Sequence, residues 1–204
     1  MQKPTGTLYI LSAASGTGKT SLSKGLVASL DNIKISISHT TRPIRAGEQA
    51  DQSYFFIDEP TFIDMIEKNA FLEHAKVFGY YYGTSHQWVN EQLQNGIDVI
   101  LDIDWQGAQI IRKQMSCISI FLLPPSREAL RERLMNRKRE DANIIEDRLV
   151  AASSEIAHYH EFDYIIVNDK FELALDELRT IVKAQRLHFT AQAQRNKKLI
   201  ENLL

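Results

Sequence analysis

The sequence predicts an α/β fold: a mostly parallel sheet with helices on both faces. Two patterns carry that expectation. Short apolar runs alternate with segments whose apolar residues recur every three or four positions, and the first run enters the first helix through a glycine-containing turn. The composition agrees, since 204 residues with 44% hydrophobic and 25% charged side chains suffice for one packed domain with a hinged insert.

TLYILS at 7–12 reads as the opening strand, AASGTGKTS as the turn, and Leu22, Leu26 and Leu30 as the inner face of the next helix. A second strand is expected over 33–38. The following HTTRPIRAGEQADQ carries too many charged and turn residues for a buried strand and reads as an exposed functional loop. SYFFI at 53–57 and FLEHAKVFGYYYG at 71–83 suggest short strands around a helix with Phe62, Met65 and Ile66, so 37–88 interrupts the larger alternation as an insert. IDVILDI at 97–103 returns to the core, followed by a helix near Gly107 and by CISIFLL at 117–123, which Pro124 and Pro125 end. A basic helix at 126–138 breaks at 139–143, and Ile145, Leu149, Ala152, Ile156 and Tyr159 then form one face of a long helix. FDYIIV at 162–167 reads as the last core strand, Phe171, Ala174, Leu178 and Ile181 mark the helix after it, and the polar 188–204 tail is helix-capable.

A net charge of −2 supplies no polycation that would demand nucleic acid, and no apolar run approaches the ~20 residues that span a bilayer. The expectations are no nucleic-acid partner, no membrane insertion and, without a recognisable secretory leader, a cytoplasmic location. The single cysteine, Cys117, cannot form an internal disulfide and lies in an apolar run that expects it buried. His158 and His160 stand two positions apart on an expected helix, share no clean face and make a poor metal pair.

Gly16, Gly18, Lys19 and Thr20 end the strand-to-helix turn in the pattern of a nucleotide phosphate loop, with Ala13 where glycine is usual. Alanine fits there if the backbone avoids a glycine-only angle. The stretch Ala13, Ala14, Ser15, Gly16, Thr17, Gly18, Lys19, Thr20 and Ser21 is therefore the expected ATP site. Its backbone N–H groups at a helix N-terminus would cradle phosphate, Lys19 would reach the terminal oxygens, and the Thr20 hydroxyl would join Mg²⁺. Asp102 and Asp104 fall on one side if their strand continues through 104, toward the edge where open sheets bind ligands. Asp102 is the residue expected to organise Mg²⁺ or its water shell.

With that loop, SHTTRPIRAGE, YYYGT, DIDWQG, the arginine-bearing segment and YIIVN make nearly the whole chain resemble guanylate kinases. The resemblance implies a phosphate-loop NTPase fold with a core of 1–36, 89–125 and 150–204, a GMP-binding segment at 37–88 and a lid at 126–149. It implies reversible phosphoryl transfer from MgATP to GMP or dGMP, giving ADP and GDP, with Mg²⁺ as cofactor; self-association stays open. On the acceptor side it places Arg42, Arg45, Tyr54 and Tyr82 on phosphate and Ser38, Glu73, Thr84 and Asp104 on guanine, while Glu48 completes the set by ordering Arg42 or Arg45. Guanidinium forks grip phosphate bidentately, and carboxylates accept from guanine N1 and N2. Thr84 stands where the family commonly has serine, keeping the hydroxyl and adding a methyl.

Residues 126–139 carry a local charge of +4 in an acidic chain, which suits phosphate focusing. The resemblance assigns Arg137 and Arg148, with Lys19, to the transferring phosphoryl group, Arg133 to ATP, and Asn168 to the neighbourhood of the adenine. Arginine stays protonated, so these groups stabilise charge during a direct, nearly in-line transfer. Two other readings are weighed: a kinase for another monophosphate such as AMP, because phosphate-binding groups do not choose the base, and a silent interaction domain. Lys19, Thr20, Arg42, Arg45, Arg137 and Arg148 are all present, which disfavours the silent domain.

Overall fold

The computed structural model describes residues 5–45, 48–50, 54–77, 79–137 and 142–204. In chain order, β1 (Leu8–Ala13), α1 (Lys19–Ser29) and β2 (Ile33–Ile35) come first. β3 (His39–Thr40), β4 (Phe55–Phe56), α2 (Glu59–Glu67), β5 (Phe71–Val77), β6 (Tyr80–Ser85) and α3 (His86–Gln94) follow. Then come β7 (Asp98–Asp102), α4 (Trp105–Gln114), β8 (Ile118–Leu123), α5 (Arg127–Arg137) and α6 (Ala142–Ile156). A 3-10 turn (Ala157–Glu161) leads to β9 (Tyr164–Val167), α7 (Phe171–Arg186), α8 (Phe189–Arg195) and α9 (Lys197–Leu203).

Strands β2, β7, β1, β8 and β9 lie side by side in that order, all parallel. The central strand β1 is buried at every position because both faces are covered. Tyr9, Leu11 and Ala13 join a core with Leu22 and Leu26 of α1 and Leu175 and Leu178 of α7, while Leu8 and Ile10 join one with Val89 of α3 and Ile111 of α4. Each such side chain removed from water contributes on the order of 1.5–3 kcal/mol. With Leu11 in register with Asp102, the turn after β1 and the end of β7 emerge together at the carboxyl edge.

A second sheet, ordered β4-β3-β6-β5, is drawn entirely from residues 39–85. Its β3/β6 and β5/β6 pairs are antiparallel and its β3/β4 pair parallel. The seam beneath it is aromatic. Fully buried Phe62 of α2 stacks on Phe71 at 4.5 Å and on Tyr81 at 5.3 Å between centroids. Gly83 admits those rings, since a Cβ there would lie 2.9 Å from Phe71 and 3.0 Å from Phe62. Asp58 caps α2 by accepting from the Thr61 N–H at 2.8 Å. A third apolar cluster joins Ala14, at the start of the glycine turn, to Leu130 and Leu134 of α5 and Ile145, Leu149 and Ala152 of α6.

Several sequence expectations shift in detail. The 33–38 strand ends at Ile35, and the chain pairs again only at His39, in the other sheet. β7 stops at Asp102, so Asp102 and Asp104 share no strand face: Asp104 is instead the N-cap of α4. Helix α6 ends at Ile156, which leaves Tyr159 in the 3-10 turn and 43% exposed, off the buried face of Ile145, Leu149 and Ala152. β9 is an edge strand in which only Ile166 is buried. Cys117 is half-buried, and burial pushes its thiol up. The tail forms α8 and α9 with no buried residue. No helix among the described residues is long and apolar enough to cross a membrane.

Phe62→Ala should destabilise the protein by about 3–5 kcal/mol, because it opens the aromatic seam from the middle. Urea unfolding reads the loss as a lowered midpoint; a cost under about 1 kcal/mol would mean that the seam does not hold the second sheet.

Candidate active site

Left-handed backbone at Gly16 (φ 88°) and Gly18 (φ 99°) folds the turn after β1 into a loop that ends on the N-terminus of α1. Gly18 is also confined, since a Cβ there would lie 2.6 Å from the side-chain nitrogen of Asn168. That buried amide donates to the Thr17 carbonyl at 2.6 Å, and Arg133 donates to the Asn168 carbonyl at 2.8 Å. Ala13 remains in β1, so it needs no glycine conformation, and Ala14 is buried against α5 and α6. The Ser15 N–H donates to Glu155 of α6 at 3.2 Å, and Ser21 is exposed on α1. Beyond the loop, Lys19 Nζ lies 3.0 Å from Asp102 Oδ1 and donates to the Ile103 carbonyl at 2.8 Å. The Thr20 hydroxyl donates to Asp102 Oδ2 at 3.1 Å, so one carboxylate engages both residues.

The second sheet presents a buried cation. Arg42, 5% exposed, donates to both Glu48 oxygens at 2.8 and 3.0 Å and to the Pro43 carbonyl at 2.8 Å. Its guanidinium lies 5.3 Å from the Tyr54 ring centre and 5.8 Å from that of Phe56. The Glu48 hydrogen bonds, then a bond with Tyr82, raise the Arg42 pKa despite its burial, and Arg42 in turn holds Glu48 below the usual carboxylate range. Glu48 also accepts from the backbone N–H of exposed Arg45 at 2.8 Å. Tyr54 and Tyr82 meet edge to face at 6.0 Å. Burial, then Tyr82, push the Tyr54 hydroxyl up.

Deeper on β6, buried Thr84 donates to Glu73 Oε1 at 2.6 Å. Asp104 Oδ1 accepts from the Gly107 N–H at 2.8 Å. Burial raises the Glu73 carboxyl above its usual range and nearby Asp104 adds to the rise, against the pull of the Thr84 bond. Half-buried Ser38 precedes β3, with its carbonyl accepting from the Phe55 N–H at 3.0 Å. The structure thus presents Asp102 at the end of β7 with Lys19 and Thr20, a buried arginine on the second sheet, and a carboxylate bonded to a hydroxyl across β5 and β6.

A family model described as guanylate kinase matches residues 5–185. The guanylate kinase of Legionella pneumophila is 54% identical over 200 residues, covering 98% of this chain and 96% of that protein. That of Saccharophagus degradans is 54% identical over 202 residues, covering 98% of each. The crystal structure of guanylate kinase from Anaplasma phagocytophilum superposes with a TM-score of 0.75 at 33% identity, covering 94% of this chain and 92% of that one. The chain belongs to the guanylate kinase family.

Two residues that the resemblance assigns to ATP also make contacts with the loop. Arg133 and Asn168 bind each other and the Thr17 carbonyl, so both brace the loop from beneath. Glu48 engages Arg42, the ordering role the resemblance implies for it, and Arg148 is half-buried on α6. The Arg137 side chain, with Lys138 and Arg139, lies outside the described residues. Sequence reasoning missed Glu155, which stands 140 residues from the Ser15 it touches and carries no local signal. It also missed Phe56 beneath Arg42, which the FF pair two residues beyond Ser53 could have suggested as an aromatic floor. Among the described residues no cluster of three or more His, Cys, Asp or Glu could hold a metal ion, and His158 pairs with Glu161.

His39 supplies a pH dependence. Its ring lies 4.8 Å from Phe55 and 5.6 Å from Phe71, its buried Nδ1 has no hydrogen-bond partner among the described residues, and burial lowers its pKa from 6.5. The unfolded chain binds this proton more readily, so the neutral ring's contribution is full above 6.5 and is lost as pH falls below it. Between about pH 7.5 and about pH 5.5 the melting temperature should drop further in the unmodified protein than in His39→Leu. Equal drops would remove His39 as the cause.

Proposed function

We propose that the chain transfers the terminal phosphoryl group of MgATP to the phosphate of GMP or dGMP, reversibly, giving ADP and GDP or dGDP. As a guanylate kinase family member it is a phosphotransferase. At residue level one observation carries the reading: the Asp102 carboxylate at the end of β7 engages both Lys19 and Thr20 of the loop, and in this reading the acceptor-binding insert closes toward it. Donor and acceptor phosphates would therefore meet at the end of β7.

In this reading the core is 1–36, 89–125 and 150–204, the GMP-binding segment 37–88 and the lid 126–149. Loop N–H groups from Ser15 through Thr20 cradle the ATP phosphates. Lys19 leaves Asp102 and the Ile103 carbonyl for the transferring oxygens, and Arg137 and Arg148 neutralise the charge that develops there. Arg42, Arg45, Tyr54 and Tyr82 hold the acceptor phosphate, with Glu48 fixing the Arg42 fork. Ser38 would face guanine O6, Thr84 would turn its hydroxyl from Glu73 to O6, and Glu73 and Asp104 would accept from N1 and N2, Asp104 through the oxygen not engaged by Gly107. Thr20 and Asp102, with oxygens 3.1 Å apart, are hard donors of the kind Mg²⁺ accepts while it keeps most of its waters. They would hold the ion, which supplies charge neutralisation on the phosphate oxygens. The proposal needs no nucleic acid and no membrane, and it places the chain in the cytoplasm.

The test is turnover with Mg²⁺ and ATP against GMP, dGMP, AMP, CMP and UMP at matched concentration. GMP should give the highest catalytic efficiency; a higher value for AMP would overturn the guanine assignment, and absence of turnover with every acceptor in folded protein would return the silent domain. Lys19→Ala should lower turnover by at least about 100-fold with folding retained, because a charge-assisted contact to the transition state is lost from an exposed loop.

Both substrate segments must also approach the loop. GMP with a nonhydrolysable ATP analogue should shorten the distance between labels at Asn69 and Asn136, placed as cysteines in a Cys117→Ser background, more than either ligand alone. Single-molecule fluorescence transfer reads it, and an unchanged distribution in an active variant would favour a preformed site.

A further inference from the structure

The 3-10 turn after α6 grips α4 through three contacts, one of them held by a hydrogen bond within the turn. The His158 ring lies flat on Trp105, with centroids 3.5 Å apart and planes 8° from parallel. His158 Nδ1 lies 2.6 Å from Glu161 Oε1, and Glu161 Oε2 accepts from Gln109 at 2.7 Å. Arg112 donates to the Glu161 carbonyl. One turn thus clamps α4 at its first residue, in its second turn and near its end.

Trp105 is also the residue after Asp104, whose Oδ1 caps the same helix on the Gly107 N–H at 2.8 Å. The direction of the Asp104 carboxylate is therefore tied to the angle at which α4 begins. A flat stack on the first helical side chain restrains that angle in a way that a cap alone does not. Three residues before His158, Glu155 holds the Ser15 N–H of the phosphate loop at 3.2 Å. The same end of α6 thus touches both halves of the site.

We propose that His158 is a positioning residue for the acceptor: its stack on Trp105, held by Glu161, sets the start of α4 and so aims Asp104 beside Glu73 for the guanine edge. This rests on the guanine role given to Asp104 above. His158 touches no substrate, so its effect is on acceptor recognition rather than on the phosphoryl step.

Steady-state kinetics on the full chain separate the contributions. His158→Ala should raise KM for GMP by about 10-fold, the size of one lost aromatic stack, with kcat and KM for ATP within about 2-fold of the unmodified protein. His158→Phe, which keeps a flat ring, should restore most of that loss, and His158→Gln, which keeps a hydrogen-bonding side chain without a ring, should not. In a Trp88→Phe background, Trp105 emission should rise and shift in His158→Ala and respond less to GMP. Equal losses for GMP and ATP, an unchanged KM for GMP, or full function in His158→Gln with failure in His158→Phe would each overturn the proposal. Asp104→Asn separates this inference from the reading beneath it. If that variant leaves KM for GMP unchanged, the guanine role of Asp104 fails; if it raises KM while His158→Ala does not, only the positioning role fails. A double variant no worse than Asp104→Asn alone would show that His158 acts through Asp104.

Discussion

The Thr17 carbonyl is the point on which the phosphate loop hangs. It accepts the Asn168 amide at 2.6 Å from the end of β9, and Arg133 of α5 donates to the adjoining Asn168 carbonyl. Because Asn168 occupies the space beside Gly18, only a residue without a side chain can make that turn, and its left-handed backbone makes the same demand independently. Glycine at 18 is thus required twice. From this anchored turn α1 starts with its N–H groups facing outward, and Lys19 and Thr20 fall within reach of Asp102. An anion site made of backbone donors works only if those donors are fixed before the anion arrives, and here the fixing comes from side chains 116 and 151 residues away in sequence.

The acceptor side solves the same problem with different material. A 50-residue insert has too little interior for a large aliphatic core, and aromatic rings bury the most area per residue. Phe62, Phe71 and Tyr81 stack beneath the sheet, while Tyr54 and Phe56 underlie Arg42. The run Tyr80 to Tyr82 shows why strand alternation matters: Tyr81 turns down onto Phe62 and Tyr82 turns toward Tyr54. One run of tyrosines therefore serves both the seam and the site.

Elements whose function is carried by local order were legible in the sequence. The glycine spacing, the helix of Leu22 and Leu26, and the apolar runs of β1, β7 and β8 each contain their own periodicity. What escaped is long-range or conformational. Alternation carried past Asp102 put Asp104 on a strand face, but the N-cap preference of aspartate won over strand continuation, and the helix began one residue later. The register of apolar residues likewise ran α6 through Tyr159, where the backbone tightens to a 3-10 turn and redirects that ring outward. The contacts of Arg133 and Asn168 with the loop itself also carried no local signal, because they join residues 116 and 151 positions apart.

Two cations of the proposed site share a further property: each is engaged by a carboxylate in the structure. Lys19 sits on Asp102 and Arg42 on Glu48. Arg42 is nearly sealed from water, and a lone guanidinium there would suffer a desolvation cost of several kcal/mol that its partner offsets. The same partners oppose the binding of phosphate, because an arriving dianion meets negative charge as well as positive. In the proposed reaction Lys19 would resolve the conflict by mobility, since its ammonium is a point charge on a flexible stem that could leave Asp102 for a phosphate oxygen. Arg42 has no such freedom, since its fork is held on both Nη atoms; in the proposed role it would meet the acceptor phosphate as a fixed charge with its remaining donors. A mobile cation on the donor side and a fixed one on the acceptor side would suit the proposed in-line transfer, since the acceptor would hold still while charge moves on the transferring group.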